Sequence, residues 1–264
     1  MAAFAIPAPI EATGSHFYKY SPFDGQRQNW LKEIIIQHQV YVPNLTQLND
    51  PPDGRPKLAP MTEDELYSFL YGGQFGVLKR NPRMSVEEQV REAAVLDVNL
   101  RHHGKDAIMR ESARLLYKEL DAWRIYSLSK RYDNMGLWAK YAADHTGYCL
   151  EFANAGEFFA SAYEVAYGEP VELRMEELAQ QNGHWFFRKS RDWSSEEEVR
   201  ILVGRHSSAM VSIDPSCLTR IILGWKMRDD DRKLIREWSR SRSPQLNVVT
   251  AFYDQFAQAL RLVE

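Results

Sequence analysis

Polar and apolar residues alternate in "HFYKYSPF", which reads as a short strand ended by Pro22. The period then lengthens. In "RQNWLKEIIIQHQ", Trp30, Leu31, Ile34 and Ile35 recur at helical spacing. "VYVPNL" is β-branched and aromatic and predicts a second strand, and "TQLNDPPDGRPKLAP" is a loop dense in turn formers. Thr62 with Glu65, and Ser85 with Glu88, have the spacing of capping boxes. From Ser85 to about Trp123 the pattern is helical, with Gly104 in "RHHGK" as the break between two helices. "RIYSLS" returns to strand character. "DNMGLWAKYAADHTG" predicts a helix capped by Asp133 or Asn134 and ended by Gly147.

The second half continues the mixture. "YCLEF" and "YEVAYG" predict strands and "VELRMEELAQQN" a helix. "WSSEEEVRILV" turns from polar to strand-like, and "CLTRIILGW" is a further strand. "RDDDRKLIREWSRS" is a surface helix, and "LNVVTAFYD" a late strand. The class is α+β, with a mixed, mainly antiparallel sheet that the pattern allows to be split. Residues 1–15 read as a loose arm. Residues 16–264 read as a single domain with a helical insertion at 62–120. The "YKY", "VYV", "SLS", "YCLEF" and "EVRIL" strands are all expected in one sheet system.

Composition narrows the function classes. The chain has 264 residues, 44% of them hydrophobic, enough for a large core. Its net charge of −3 gives no indication of a nucleic-acid partner. No apolar run approaches the roughly 20 residues of a membrane span, so no membrane partner is expected. The first residues lack an early Lys or Arg and form a poor signal peptide, which points to a cytoplasmic protein. Cys149 and Cys217 lie in apolar contexts and read as buried free thiols. No cysteine or histidine pair has metal-ligand spacing, and no metal is expected.

Three stretches carry candidate chemistry. In "WSSEEEVRIL", strand alternation puts Glu196, Glu198 and Arg200 on one face and Glu197 on the other. That strip is either an ion-pair ladder or a pair of catalytic carboxylates facing a cleft. Spacing alone does not choose between Glu196 and Glu198. Trp138, Tyr141 and His145 fall along one helix, either as core packing and a dipole-favoured terminal histidine or as a ligand platform. "LNDPPDG" offers Asn49 and Asp50 at the end of a strand, in a loop that is either functional or a well-capped bend. Lys19 and Tyr20 supply a cation, a phenol and a flat ring, which suit a phosphate or a nucleobase. Asp50, Asp53, Glu196 and Glu198 allow a weaker alternative, a metal-dependent nuclease.

Taken in order, Lys19-Tyr20, Asn49-Asp50-Pro51, the Trp138, Tyr141, Ala142, His145 and Gly147 set, and the Trp193, Glu196, Glu198 and Arg200 set resemble a bacterial domain of unknown function, the family numbered 2971. The resemblance runs from about residue 16 to 226. After Asn-Asp-Pro that family continues with an aromatic residue and Glu, where Pro52 and Asp53 stand here. The family implies no activity.

The order of strands is also similar, more loosely, to the ADP-ribosyltransferase fold. There, residues on a first, a middle and a late strand converge on NAD. The resemblance implies Tyr20 or Lys19 for the first position, Ser127 or Ser129 for the second and Glu198 for the third. Glu196 would complete a Glu-x-Glu pair like that of some transferases. Asn49, Asp50, Trp138, Tyr141, His145 and Arg200 are the remaining candidates to line the site. NAD would be the substrate of an ADP-ribosyltransferase or NAD glycohydrolase, in a toxin or phage-defence role with an unspecified acceptor. The alternative from another class is a non-catalytic regulatory module binding a nucleotide-like molecule or a partner.

Overall fold

A computed structural model describes residues 7–50, 52–62, 64–65, 85–174, 183–204 and 207–264. Eight strands form one sheet in the order β14-β13-β12-β5-β1-β4-β10-β6. They are β1 (His16–Ser21), β4 (Arg124–Ser129), β5 (Tyr148–Ala153), β6 (Tyr163–Glu164), β10 (Glu198–Val203), β12 (Leu218–Leu223), β13 (Asn247–Asp254) and β14 (Ala259–Val263). Within this sheet only β12 and β13 run parallel, so it is mixed and mainly antiparallel.

The sheet is nearly divided at its centre. β1 pairs with β5 along its whole length, from His16↔Ala153 to Ser21↔Tyr148, and β4 pairs with β10 from Glu198↔Ser129 to Val203↔Arg124. Between β1 and β4 the register holds only at Tyr18↔Ser129. The strands then part, leaving five strands on one side and three on the other. Lys19 bridges the gap, its Nζ donating to the Ser127 carbonyl oxygen at 2.8 Å.

Helices cover both faces. On one face Leu31, Ile34 and Ile35 of α1 (Gly25–Gln37) pack with Phe17, Tyr126, Leu128, Leu150 and Val199. Ile235 of the amphipathic helix α5 (Asp229–Arg240) joins the same core. On the other face Leu137 and Trp138 of α4 (Met135–Tyr141) pack with Tyr20, Cys149 and Ile222. A third apolar group, including Leu45, Ile125, Leu173 and Phe186, lies against the smaller half of the sheet. Since side chains alternate along β4, Ser127 and Ser129 stay on the face between these last two groups.

The described part of 62–120 is helical, as α2 (Val86–His103) and α3 (Lys105–Leu120), broken at Gly104 with φ 76°. Both capping boxes form: Thr62 N donates to Glu65 Oε2 at 2.7 Å and Ser85 N to Glu88 Oε2 at 2.8 Å, with the hydroxyls accepting the return bonds. Asn134 caps α4, accepting from Leu137 N at 3.2 Å. Cys149 and Cys217 are buried and free. Among the described residues no helix is long and apolar enough to cross a membrane.

Four expectations need correction. β2 (Gln39–Tyr41) is a strand, but it pairs with β11 (Met210–Ser212) in a separate ribbon; alternation marks a strand without naming its partner. The helix expected from Val171 does not start there. Glu172–Leu173 is β8, pairing in parallel with β3 (Lys57–Leu58), and residues 175–182 of that expectation lie outside the described residues. The arm is not loose at its end: Glu164 N donates to Ile10 O and Ala12 N to Ala162 O, both at 2.8 Å, which covers the exposed edge of β6.

The fourth concerns α4, which stops at Tyr141 rather than running to Gly147. Ala143, Asp144 and His145 take positive φ, and the chain passes so close to Ser21 that a Cβ at Gly147 would lie 2.2 Å from the Ser21 carbonyl oxygen. The same turn rests on Gly224, where a Cβ would meet His145 O at 2.0 Å. His145 therefore sits in a strained turn and not on the last turn of a helix.

Candidate functional site

The parting of β1 and β4 opens a cleft of about 430 Å³, within the usual range for small-molecule sites. Its walls come from distant parts of the chain. β1 gives Lys19 and Tyr20, the loop after β2 gives Asn49 and Asp53, β4 gives Ser127 and Ser129, and α4 gives Lys140 and Tyr141. Lys189, Glu196 and Glu198 complete it.

The late motif reaches the cleft through a reversal that strand alternation does not describe. Lys189 lies on β9 (Arg188–Ser190), which pairs in parallel with β7 (Ala166–Gly168). Ser190 then caps a 3-10 turn, Arg191–Glu196, and Glu197 adopts a left-handed conformation with φ 45° before β10 begins at Glu198. Glu196 and Glu198 thus share a side, as expected, but Glu196 does so from the turn. Glu197 points away and meets Arg131 at 3.4 Å.

Three buried carboxylates and two buried cations form the floor. Arg200, with no exposed surface, donates from Nε to Glu198 Oε1 at 2.7 Å and from Nη2 to Glu198 Oε2 at 3.0 Å and Asp53 Oδ2 at 2.7 Å. Its Nη1 donates to Phe186 O at 2.7 Å. Lys189 Nζ donates to Glu196 Oε2 at 2.7 Å and Glu198 Oε2 at 2.9 Å, and stands 3.7 Å from Asp53 Oδ2. The three carboxylates therefore converge on an ammonium. Among the described residues no three His, Cys, Asp or Glu side chains are grouped to hold a metal.

Charge states follow from these contacts. Burial alone would push the Glu198 carboxyl up, but the Arg200 guanidinium and the Lys189 ammonium outweigh it and hold it down at about 2. Asp53 goes the other way. Burial, with Glu198 nearby, raises it despite the bond from Arg200. Lys19 has no carboxylate of the described residues within ion-pair distance; burial, against a weaker pull from Glu198, lowers its ammonium to about 8. The same Nζ lies 4.9 Å from the Tyr126 ring centroid.

At the mouth, Tyr141 donates to Glu196 Oε1 at 2.8 Å and accepts from Asn49 Nδ2 at 3.4 Å. Lys140 Nζ stands 3.3 Å from the Trp193 ring centroid and 3.5 Å from Glu196 Oε1.

Lys19, Tyr20, Asn49, Ser127, Ser129, Tyr141, Glu196 and Glu198 thus meet at one cleft, with Arg200 behind Glu198. Two of the hydroxyls are tied into the scaffold: Tyr20 donates to Arg131 O and Ser129 to Glu196 O, both at 2.8 Å. Three expected residues lie elsewhere. Asp50 lines a different cavity, and the loop sends Asp53 into the ion cluster in its place, because the 50–53 turn (Asp53 N to Asp50 O, 3.0 Å) swings the later carboxylate inward. Trp138 is core, its indole donating to Tyr132 O at 2.7 Å. His145 stacks on Trp225 with ring centroids 3.7 Å apart, away from the cleft. Sequence reasoning assigned no role to Lys189 or to Tyr167, whose oxygen accepts from Glu198 N at 2.7 Å. Lys189 stands four residues before Trp193 of the late motif, but no spacing rule folds it back onto Glu198.

No protein-family model matches the chain, and no curated protein or solved structure matches it significantly.

Proposed function

We propose that the chain is an NAD-consuming ADP-ribosyltransferase or NAD glycohydrolase, that it belongs with the 2971 domains of unknown function, and that it acts in the cytoplasm as a toxin or phage-defence effector. One observation carries the reading. The first-strand pair Lys19-Tyr20, the middle-strand serines Ser127 and Ser129, and the late Glu198 lie on the neighbouring strands β1, β4 and β10 and line a single cleft.

In this reading the bond between the nicotinamide nitrogen and the ribose C1′ breaks. Its electron pair leaves with nicotinamide. The ribosyl cation is captured by water or an acceptor hydroxyl, which then loses a proton. Glu198, ionised far below neutral pH, supplies negative charge opposite that cation, an interaction strongest in the transition state. Lys19, without a carboxylate partner among the described residues, suits the substrate's phosphate.

A second reading, a non-catalytic nucleotide-binding module, is favoured by the saturation of both Glu198 oxygens by Arg200 and Lys189. Melting curves with NAD and ADP-ribose test the nucleotide site common to both. A ligand at about 100 times its Kd adds about 2.7 kcal/mol, and Lys19→Met should weaken that gain at least tenfold in concentration. No shift with either nucleotide at millimolar concentration contradicts both readings. A shift without turnover favours the module.

A further inference from the structure

A second cavity, of about 440 Å³, lies on the other side of Asp53 and Lys189, which line both spaces. Its walls include Pro56, Tyr117, Pro170, Val171, Trp185 and Arg188. Buried polar atoms in folded proteins almost always find partners. Among the described residues six buried side-chain nitrogen or oxygen atoms have none, and three of these belong to residues lining this one cavity: Trp185 Nε1, Arg188 Nε and Asp53 Oδ1. Trp185 and Asp53 are 8% and 7% exposed. The other three, on His38, His145 and Arg242, belong to residues that line neither cavity.

The three orphans differ in kind, and that difference describes a ligand. An indole N–H and a guanidinium N–H only donate. Together they call for an acceptor, and the guanidinium favours one that is negatively charged. Asp53 Oδ1 accepts, and calls for a ligand hydroxyl or amine. Among the described residues Arg188 has no carboxylate partner, whereas the neighbouring Arg55 pairs with Asp121 and Lys57 with Glu172 at 3.6 Å. Its guanidinium is accommodated across the β7–β9 pair by Gly168, where a Cβ would stand 3.0 Å from Nη2. Pro56, Tyr117, Pro170 and Val171 give the wall an apolar part that suits a small organic body, beside Asp50, Glu169 and the cations Arg55, Lys57 and Lys189.

We propose that this cavity is a binding site for a small hydroxylated oxyanion. Its phosphate or carboxylate is held by Trp185 Nε1 and the Arg188 guanidinium, and its hydroxyl donates to Asp53 Oδ1. The site is independent of the NAD reading and stands if that reading fails.

The seven tryptophans give seven indole N–H signals in a spectrum of the ¹⁵N-labelled full chain, and Trp185→Phe identifies the one from Trp185. Glycerol 3-phosphate and 3-hydroxybutyrate serve as the phosphate and carboxylate probes, with propanol as the uncharged control. The expected result is a saturable shift of the Trp185 signal with at least one of the two anions and none with propanol. Arg188→Gln should weaken that binding at least tenfold while leaving the melting temperature unchanged or raised, since Arg188 has no carboxylate partner among the described residues to lose. A Trp185 signal that both anions leave unmoved at 20 mM, as in a cavity holding water alone, overturns the proposal. So does equal affinity in a folded Arg188→Gln variant.

Discussion

Replacing Glu198 by Gln takes one charge from a buried set of three carboxylates and two cations. Glu198 is 5% exposed and Arg200 0%. Both Glu198 oxygens accept charged donors, at 2.7, 2.9 and 3.0 Å. A Gln amide still offers one oxygen, but its NH2 group must face either Lys189 or Arg200. Among the described residues Arg200 is then left with Asp53 as its only charged partner. Breaking a buried ion pair from one side costs about 3–5 kcal/mol, equivalent to a fall of roughly 10 °C in melting temperature for a chain of this size. Glu197 is the control one residue away. Its side chain is 43% exposed and its partner Arg131 51% exposed, so Glu197→Gln should cost about 1 kcal/mol or less. Urea unfolding of the three proteins measures both, read from the midpoint at constant slope. Equal and small effects from the two substitutions would refute the buried-cluster reasoning.

The acid side offers a second test. Glu198 titrates at about 2 in the fold against 4.5 ordinarily. Its stabilisation is therefore complete above pH 4.5 and is lost as pH falls from there towards 2, about 3 kcal/mol in all. Wild type should lose urea stability more steeply than Glu198→Gln over that window, and parallel pH profiles would contradict this. Lys19 carries the opposite sign of slope. With its ammonium at about 8 against 10.5 ordinarily, the unfolded chain binds more protons in between, so stability should rise across pH 8 to 10.5. Lys19→Met should remove that rise, and a pH profile matching wild type would contradict the assignment. Gly147→Ala, with a Cβ 2.2 Å from Ser21 O, should cost about 3 kcal/mol or more; an unchanged melting temperature would show that the turn can move aside.

Local signals carried much of this architecture. The 3.6-residue period of α5, the capping boxes at Thr62 and Ser85, and the alternation in β1, β4, β5, β12 and β13 are each properties of a few consecutive residues. Partnership is not. Nothing within "VYV" distinguishes a strand of the main sheet from one that pairs with β11. The candidate site divides in the same way. Glu198 and Arg200 share a face because they are two apart on one strand. The choice of Asp53 over Asp50 depends on how one turn closes, and the return of Lys189 depends on the left-handed residue Glu197. The cleft itself comes from a missing strand pairing between β1 and β4. Pairing is a property of two segments over 100 residues apart, so neither records it alone.

The most direct test of the central claim is single-turnover release of nicotinamide, with enzyme in excess over NAD, water or added acceptor proteins as the second reactant, and each protein held well below its melting temperature. The account predicts release by wild type, a fall of about 100-fold or more in folded Glu198→Gln, as expected when preorganised charge is lost opposite a transition state, and little change in Glu197→Gln. No release by wild type with any acceptor, or equal rates in the two folded variants, would contradict it.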